Sequence, residues 1–273
     1  MNQAVKITIF DTTLRDGELA LTRKLTVAQK LQLALMLDEA GVDVIEVGYP
    51  GAFPKDWDEV SQVSQQVKHA VVCGLTSSQT REIEAVATAL KSCARGRVNV
   101  FTPIRVETEK ALSEAIEATQ KSVSLARNYC GDVEWSAFDA TRSHPDVVCK
   151  TVETAIKAGA TTIAIPDSMG VMTPSEFAAL IKKIKHSVPN IDQATLAVHC
   201  HDDNGQAVDN SLETLMVGAR QIECSINGLG ARAGNADLAE VVEAIALNPL
   251  FCTTVKPSRL PAISEQVTKL TSK

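Results

Sequence analysis

Eight times along the chain, a short run of β-branched and apolar residues gives way to a longer stretch with helical spacing. That alternation restricts the fold more than any other feature. The strand-like runs are 6–13 (KITIFDTT), 42–48 (VDVIEVG), 70–76 (AVVCGLT), 97–103 (RVNVFTP), 132–138 (DVEWSAF), 161–167 (TTIAIPD), 195–202 (TLAVHCHD) and 221–228 (QIECSING). Most are apolar along nearly their whole length, as parallel strands covered by helices must be. Between them the helices carry their own boundaries. Thr26 precedes VAQKLQLALMLDEAG, which stops at Gly41, and Thr173-Pro174 opens a helix with Glu176 at a capping-box offset.

Eight such units predict an α/β fold of the closed (β/α)₈ TIM-barrel type, and 273 residues match the roughly 250 that a barrel needs. An open doubly wound sheet would place G-x-G-x-x-G after the first strand, where this chain has Leu14-Arg15-Asp16-Gly17-Glu18. No Pro/Gly/Ser-rich linker or second compositional zone divides it, so one domain over 1–273 is expected.

A formal net charge of −6 disfavours nucleic acid and anionic membranes as partners. No apolar stretch approaches the ~20 residues that cross a bilayer. The seven cysteines are odd in number and form no C-x-x-C, which fits reduced thiols in a cytoplasmic protein.

In a barrel, chemistry belongs at the C-terminal ends of the strands, and polar residues gather there. His199 and His201 are the sharpest pair. Two apart on a strand, they face the same side, and adjacent imidazoles in a barrel mouth suit a divalent metal. A third ligand must be an oxygen donor from another strand end. Asp16 leads and Asp11 is its rival, the latter also readable as a buried hydrogen-bonding residue. Asp202 and Asp203 either orient the imidazoles or cap the helix that begins near Asn204. Arg15, beside Asp16, would stabilise negative charge developing on the keto oxygen of a chelating 2-oxo acid. The glycine-rich loop 228–235 offers backbone N–H groups for a carboxylate or phosphate. His69, His144 and His186 stand isolated, as solvated or structural residues do.

Together, FDTTLRDGE (10–18), VHCHDDNGQAVDNSL (198–212) and GARQIECSINGLGARAGNADLAEVV (218–242) resemble the 2-isopropylmalate synthase and homocitrate synthase branch of the metal-dependent TIM-barrel lyase and synthase superfamily. The resemblance implies Asp16, His199, His201 and Asn235 as ligands of Mg²⁺, Mn²⁺ or Zn²⁺. It implies Arg15 and Glu46 as catalytic residues, and a 2-oxo acid pocket lined by Arg15, Glu46, Ser136, Phe138 and Ser168. Acetyl-CoA would be the co-substrate, a 2-substituted malate the product, amino-acid biosynthesis the setting and a homodimer the working form. A lyase or aldolase of the same superfamily, or a barrel that binds without turnover, is the alternative.

The chain departs from the family pattern in three places. Leu19 stands where the family has glutamine after RDGE, and Phe138-Asp139 replaces a Glu-Asp pair, exchanging a pocket carboxylate for an aromatic ring. The helix-like segment 263–270 is followed here by Thr271-Ser272-Lys273, so the family's smaller subdomains and feedback control by leucine are not expected, and the catalytic base is unassigned.

Overall fold

The computed structural model describes residues 4–271, so the two ends of the expected 1–273 domain lie outside the described residues. In chain order the strands are β1 (Val5–Lys6), β2 (Thr8–Asp11), β3 (Val44–Gly48), β4 (Val71–Thr76), β5 (Gly96–Pro103), β6 (Val133–Phe138), β7 (Thr162–Asp167), β8 (Thr195–Cys200), β9 (Gln221–Cys224) and β10 (Phe251–Cys252). Strands β2 to β9 close into a barrel in sequence order, with every neighbouring pair parallel. The expected (β/α)₈ barrel is the observed fold.

Each barrel strand leads into one helix: α1 (Val27–Ala40), α2 (Pro54–Gln66), α3 (Thr80–Ala89), α4 (Glu109–Tyr129), α5 (Pro145–Lys157), α6 (Pro174–Ser187), α7 (Ala207–Leu215) and α8 (Leu238–Leu247). A further helix, α9 (Leu260–Thr271), packs on α1. The boundaries follow local chemistry. The Thr26 hydroxyl accepts from Gln29 N while the Gln29 side chain accepts from Thr26 N, a reciprocal cap on α1. Gly41 ends that helix at φ 86°, where a Cβ would lie 2.5 Å from Thr254 O. Thr173 and Glu176 cap α6 in the same way, with Pro174 in the first turn.

Three expected strands end early, each for a local reason. The run 6–13 splits because Ile7 N turns to Cys252 O, and because Arg15 N and Gly17 N fold back onto Thr12 O. The run 195–202 stops at Cys200, and His201 instead forms an antiparallel bridge with Asn235. The run 221–228 stops at Cys224, since Asn227 and Gly228 adopt positive φ.

Inside the barrel, inward-facing residues of β5 and β6 pair in three layers. Lowest, Arg97 Nη1 donates to Glu134 Oε2 at 2.8 Å. Above it the Ser136 hydroxyl donates to Asn99 Oδ1 at 2.9 Å. At the top the Phe101 and Phe138 rings lie 6.0 Å apart. The lower barrel is thus filled by polar groups that pair with one another, Glu134 Oε1 being left without a hydrogen-bond partner, and a cavity opens at the C-terminal end. No helix among the described residues is long and apolar enough to cross a membrane. All seven cysteines are free thiols.

Candidate metal centre

β8 delivers His199 to the barrel mouth, and the residue bridge just beyond it delivers His201. Their Nε2 atoms lie 3.3 Å apart. One carboxylate oxygen of Asp16, from the turn after β2, lies within 4.8 Å of both imidazoles. Burial disfavours the charged form of each histidine, pulling His199 below its ordinary range and His201 down to about 4. Both therefore present neutral rings at physiological pH, the form that donates a lone pair. Burial alone would raise the Asp16 carboxyl. Arg15, His199, His201 and the Asn235 amide together outweigh it and hold the group well below the usual carboxylate range.

Asn235 completes the cluster. Its Nδ2 donates to Asp16 Oδ2 at 2.8 Å and to Leu229 O at 3.1 Å, while its buried Oδ1 has no hydrogen-bond partner. An orphaned buried acceptor beside a carboxylate and two neutral imidazoles fits a divalent cation by its donor chemistry. Gly230 leaves the space they need, because a Cβ there would sit 2.6 Å from Asn235 Nδ2 and 2.9 Å from Asp16 Oδ2. Of the loop's N–H groups, that of Ala231 donates to Asp16 Oδ2 at 3.3 Å.

Arg15 stands beside this cluster in a fixed pose. Its Nε donates to Glu46 Oε2 at 2.6 Å and its Nη1 to Asp16 Oδ1 at 2.8 Å. Glu46 is fully buried; it also accepts from the Thr12 hydroxyl at 2.8 Å and from Asn99 Nδ2 at 3.3 Å. Glu46 lies behind Arg15 and off the cavity wall, so its visible work is to aim the guanidinium. Glu18, the last residue of the RDGE turn, is an anchor: its carboxylate meets buried Lys30 Nζ at 3.1 Å and accepts from Leu25 N at 2.9 Å.

A cavity of about 550 Å³ opens over these groups. Arg15, Asp16, Ser136, Phe138, Ser168, His199 and His201 line it, whereas Asn235 lies off its wall with Glu46. Ser136 is bonded to Asn99, and the Ser168 hydroxyl accepts from Asp139 N at 3.0 Å.

Of the alternatives left open by sequence, Asp11 is a buried hydrogen-bonding residue, accepting from Thr13 N at 3.1 Å and from its hydroxyl at 2.7 Å. Asp202 caps α7 by accepting from Ala207 N at 2.9 Å, and Asp203 holds Arg232 through two bonds of 2.9 and 2.8 Å. Neither aspartate orients an imidazole. The His199 Nδ1 atom lies 3.1 Å from Glu223 Oε2, and His201 Nδ1 lies 3.3 Å from Gly234 O. Sequence reasoning missed Glu223, whose one signal is a carboxylate two residues from Gln221 on an otherwise apolar strand. It also missed Asn99 and the cavity rings Tyr49, Phe53 and Phe101, which sit among apolar neighbours with no polar marker.

Residues 6–267 match the family model described as HMGL-like. Over 273 residues the chain is 45% identical to a 2-isopropylmalate synthase of Psychromonas ingrahamii (strain DSM 17664 / CCUG 51855 / 37), covering 97% of this chain and 53% of that protein. Over 245 residues it is 47% identical to a 2-isopropylmalate synthase of Rhodopseudomonas palustris (strain BisB5), covering 88% and 47%. The chain thus spans about half the length of these relatives. Among solved structures, the HMG-CoA lyase from Brucella melitensis superposes with a TM-score of 0.81 at 24% identity, over 99% of this chain and 100% of that one, which speaks to fold alone.

Proposed function

The chain belongs to the HMGL-like family, and from that premise we propose that it condenses acetyl-CoA with a 2-oxo acid to give a 2-substituted malate. Support comes first from the cluster of Asp16, His199, His201 and Asn235 with Arg15 fixed beside it at a largely apolar cavity. The 45–47% identity to 2-isopropylmalate synthases supports the same class of reaction.

In that reaction the acetyl methyl group loses a proton, and the resulting carbon bonds to the keto carbon of the oxo acid. The keto oxygen takes up a proton and becomes a hydroxyl. Water then replaces the thioester sulfur, releasing CoA as a free thiol. Asp16, His199, His201 and Asn235 would hold a divalent cation, and mixed N/O donors accept Mg²⁺, Mn²⁺ or Zn²⁺. When bound, it would supply Lewis-acid polarisation of the oxo acid carbonyl. Arg15, clamped by Glu46 and Asp16, presents its guanidinium where negative charge gathers on the keto oxygen. Because the clamp is set before substrate arrives, little reorganisation is left for the reacting state. The Ser168 hydroxyl, which accepts from Asp139 N and keeps its own proton to donate, offers an O–H to the oxo acid carboxylate, and Ser136 lines the same cavity. The proposed setting is cytoplasmic amino-acid biosynthesis, with a homodimer as the working form.

The test is release of free thiol from acetyl-CoA, in Mg²⁺ or Mn²⁺, across a panel of 2-oxo acids. Release that depends on an oxo acid is expected. Release at the same rate without one, or none with any, overturns the reading.

A further inference from the structure

Above the polar floor the cavity changes character. Its wall is formed by Leu75 on β4, Phe101 on β5 and Phe138 at the end of β6, with Tyr49 and Phe53 from the segment between β3 and α2. The rings form one connected set. Tyr49 meets Phe53 edge-on at 6.2 Å and Phe101 edge-on at 6.0 Å, and Phe101 meets Phe138 at 6.0 Å. Phe138 and Phe53 remain 49% and 56% exposed, so this aromatic surface stands uncovered around a concave mouth.

The geometry points to an aryl-bearing 2-oxo acid as the substrate, its ring packed against Phe101 and Phe138; this rests on the condensation proposed above. The three-layer pairing of β5 and β6 fixes the order, with hydrogen-bonding Asn99 and Ser136 beneath and two rings directly above. A carboxylate and keto group held low beside Arg15 would send the substrate side chain upward onto those rings. Edge-to-face and offset contacts are what an added aryl group finds there. A methyl or isopropyl group would leave much of that wall without a contact partner.

A second carboxylate would fare worse. The wall from β4 to β6 carries no cation among the described residues. On the rest of the lining Arg15 serves Glu46 and Asp16, Lys55 Nζ meets Glu59 Oε1 at 2.7 Å, and exposed Lys24 donates to Glu18 O at 2.8 Å. An anionic side chain packed against the wall from β4 to β6 would therefore lose water without gaining a partner there.

The experiment compares kcat/KM for 3-phenyl-2-oxopropanoate, 4-methyl-2-oxopentanoate, 2-oxoisovalerate, pyruvate and 2-oxoglutarate in the thiol-release assay. The aryl acid is expected to lead by about tenfold or more, the scale on which apolar pockets discriminate, with 2-oxoglutarate last. Phe138→Leu should lower kcat/KM for the aryl acid several-fold more than for the aliphatic acids, shrinking the ratio between them. An aliphatic or dicarboxylic acid in first place overturns this inference and leaves the condensation standing. Silence with every oxo acid overturns the condensation instead. The side-chain preference is then judged by thermal stabilisation of the Mn²⁺-loaded protein, where a larger shift with the aryl acid sustains it and an equal or smaller one ends it.

Discussion

Glu223 Oε2 lies 3.1 Å from Nδ1 of His199, so the one carboxylate of β9 fixes the imidazole that β8 presents at the mouth. The contact follows from register, because His199 and Glu223 are paired across the two strands. An imidazole whose Nδ1–H is held by a carboxylate keeps its Nε2 lone pair free and aimed. Glu223→Ala should therefore weaken Mn²⁺ binding about 10- to 100-fold, as measured by calorimetric titration. Glu223→Gln, which keeps an acceptor, should lose far less. His199→Ala should remove the Mn²⁺-induced rise in melting temperature altogether. Unchanged metal affinity in the alanine variant would show that the proposed ligand set is wrong.

Arg15 makes a two-pronged contact, to Glu46 and to Asp16, that only a planar fork can satisfy. Lysine would keep the charge and lose the aim. Arg15→Lys is expected to lower kcat by about 10²- to 10³-fold, the usual loss when one preorganised donor to a developing oxyanion goes. Metal content should stay at the wild-type level. Equal losses in kcat and bound metal would mean that Arg15 mainly holds Asp16 in place.

The loop after β9 acts through what it leaves out. At Gly230 a methyl group would push against Asn235 Nδ2 and Asp16 Oδ2, whereas at Gly131 a Cβ meets nothing within 4 Å. Gly230→Ala should thus displace the Asp16–Asn235 pair and lower metal affinity by at least about tenfold, by analogy with loss of a supporting partner. Gly131→Ala should be neutral in the same titration. If both variants bind Mn²⁺ like the parent, close packing at Gly230 does not set the site.

Which parts of this architecture could be read from sequence depends on how local their causes are. The two-residue spacing of His199 and His201 in a strand-like run predicts a common face without knowledge of the rest of the chain, although the observed strand stops at Cys200. Strand and helix order likewise follow from periodicity and caps, as at Thr26 and Thr173. Glu223 is different: nothing in QIEC reveals that its neighbour is His199 until the barrel closes and sets the register. Asn235 is reached only through resemblance, because its bridge to His201 spans a loop that strand periodicity does not describe. Phe101 and Phe138 meet for the same non-local reason as Glu223 and His199, through the pairing of β5 with β6.

Asp11 lends itself to a prediction about pH that stays clear of the metal cluster. Burial pushes its carboxyl up to about 7, against the hydrogen bonds from Thr13 and with further help from the Glu46 charge. A carboxyl whose folded value exceeds its unfolded value of 3.8 binds more protons in the native state between those limits. Its stabilising contribution is complete below pH 3.8 and is lost as pH rises toward about 7. Asp11→Asn keeps an acceptor for Thr13 and cannot ionise. The stability of the parent relative to this variant should therefore fall between pH 4.5 and 7.5 by a few kcal/mol, since each tenfold change in acid strength is worth about 1.4 kcal/mol. Urea unfolding of both proteins at the two pH values measures the difference directly. A gap that stays constant, or widens in favour of the parent as pH rises, would mean that Asp11 is ionised in the folded barrel throughout.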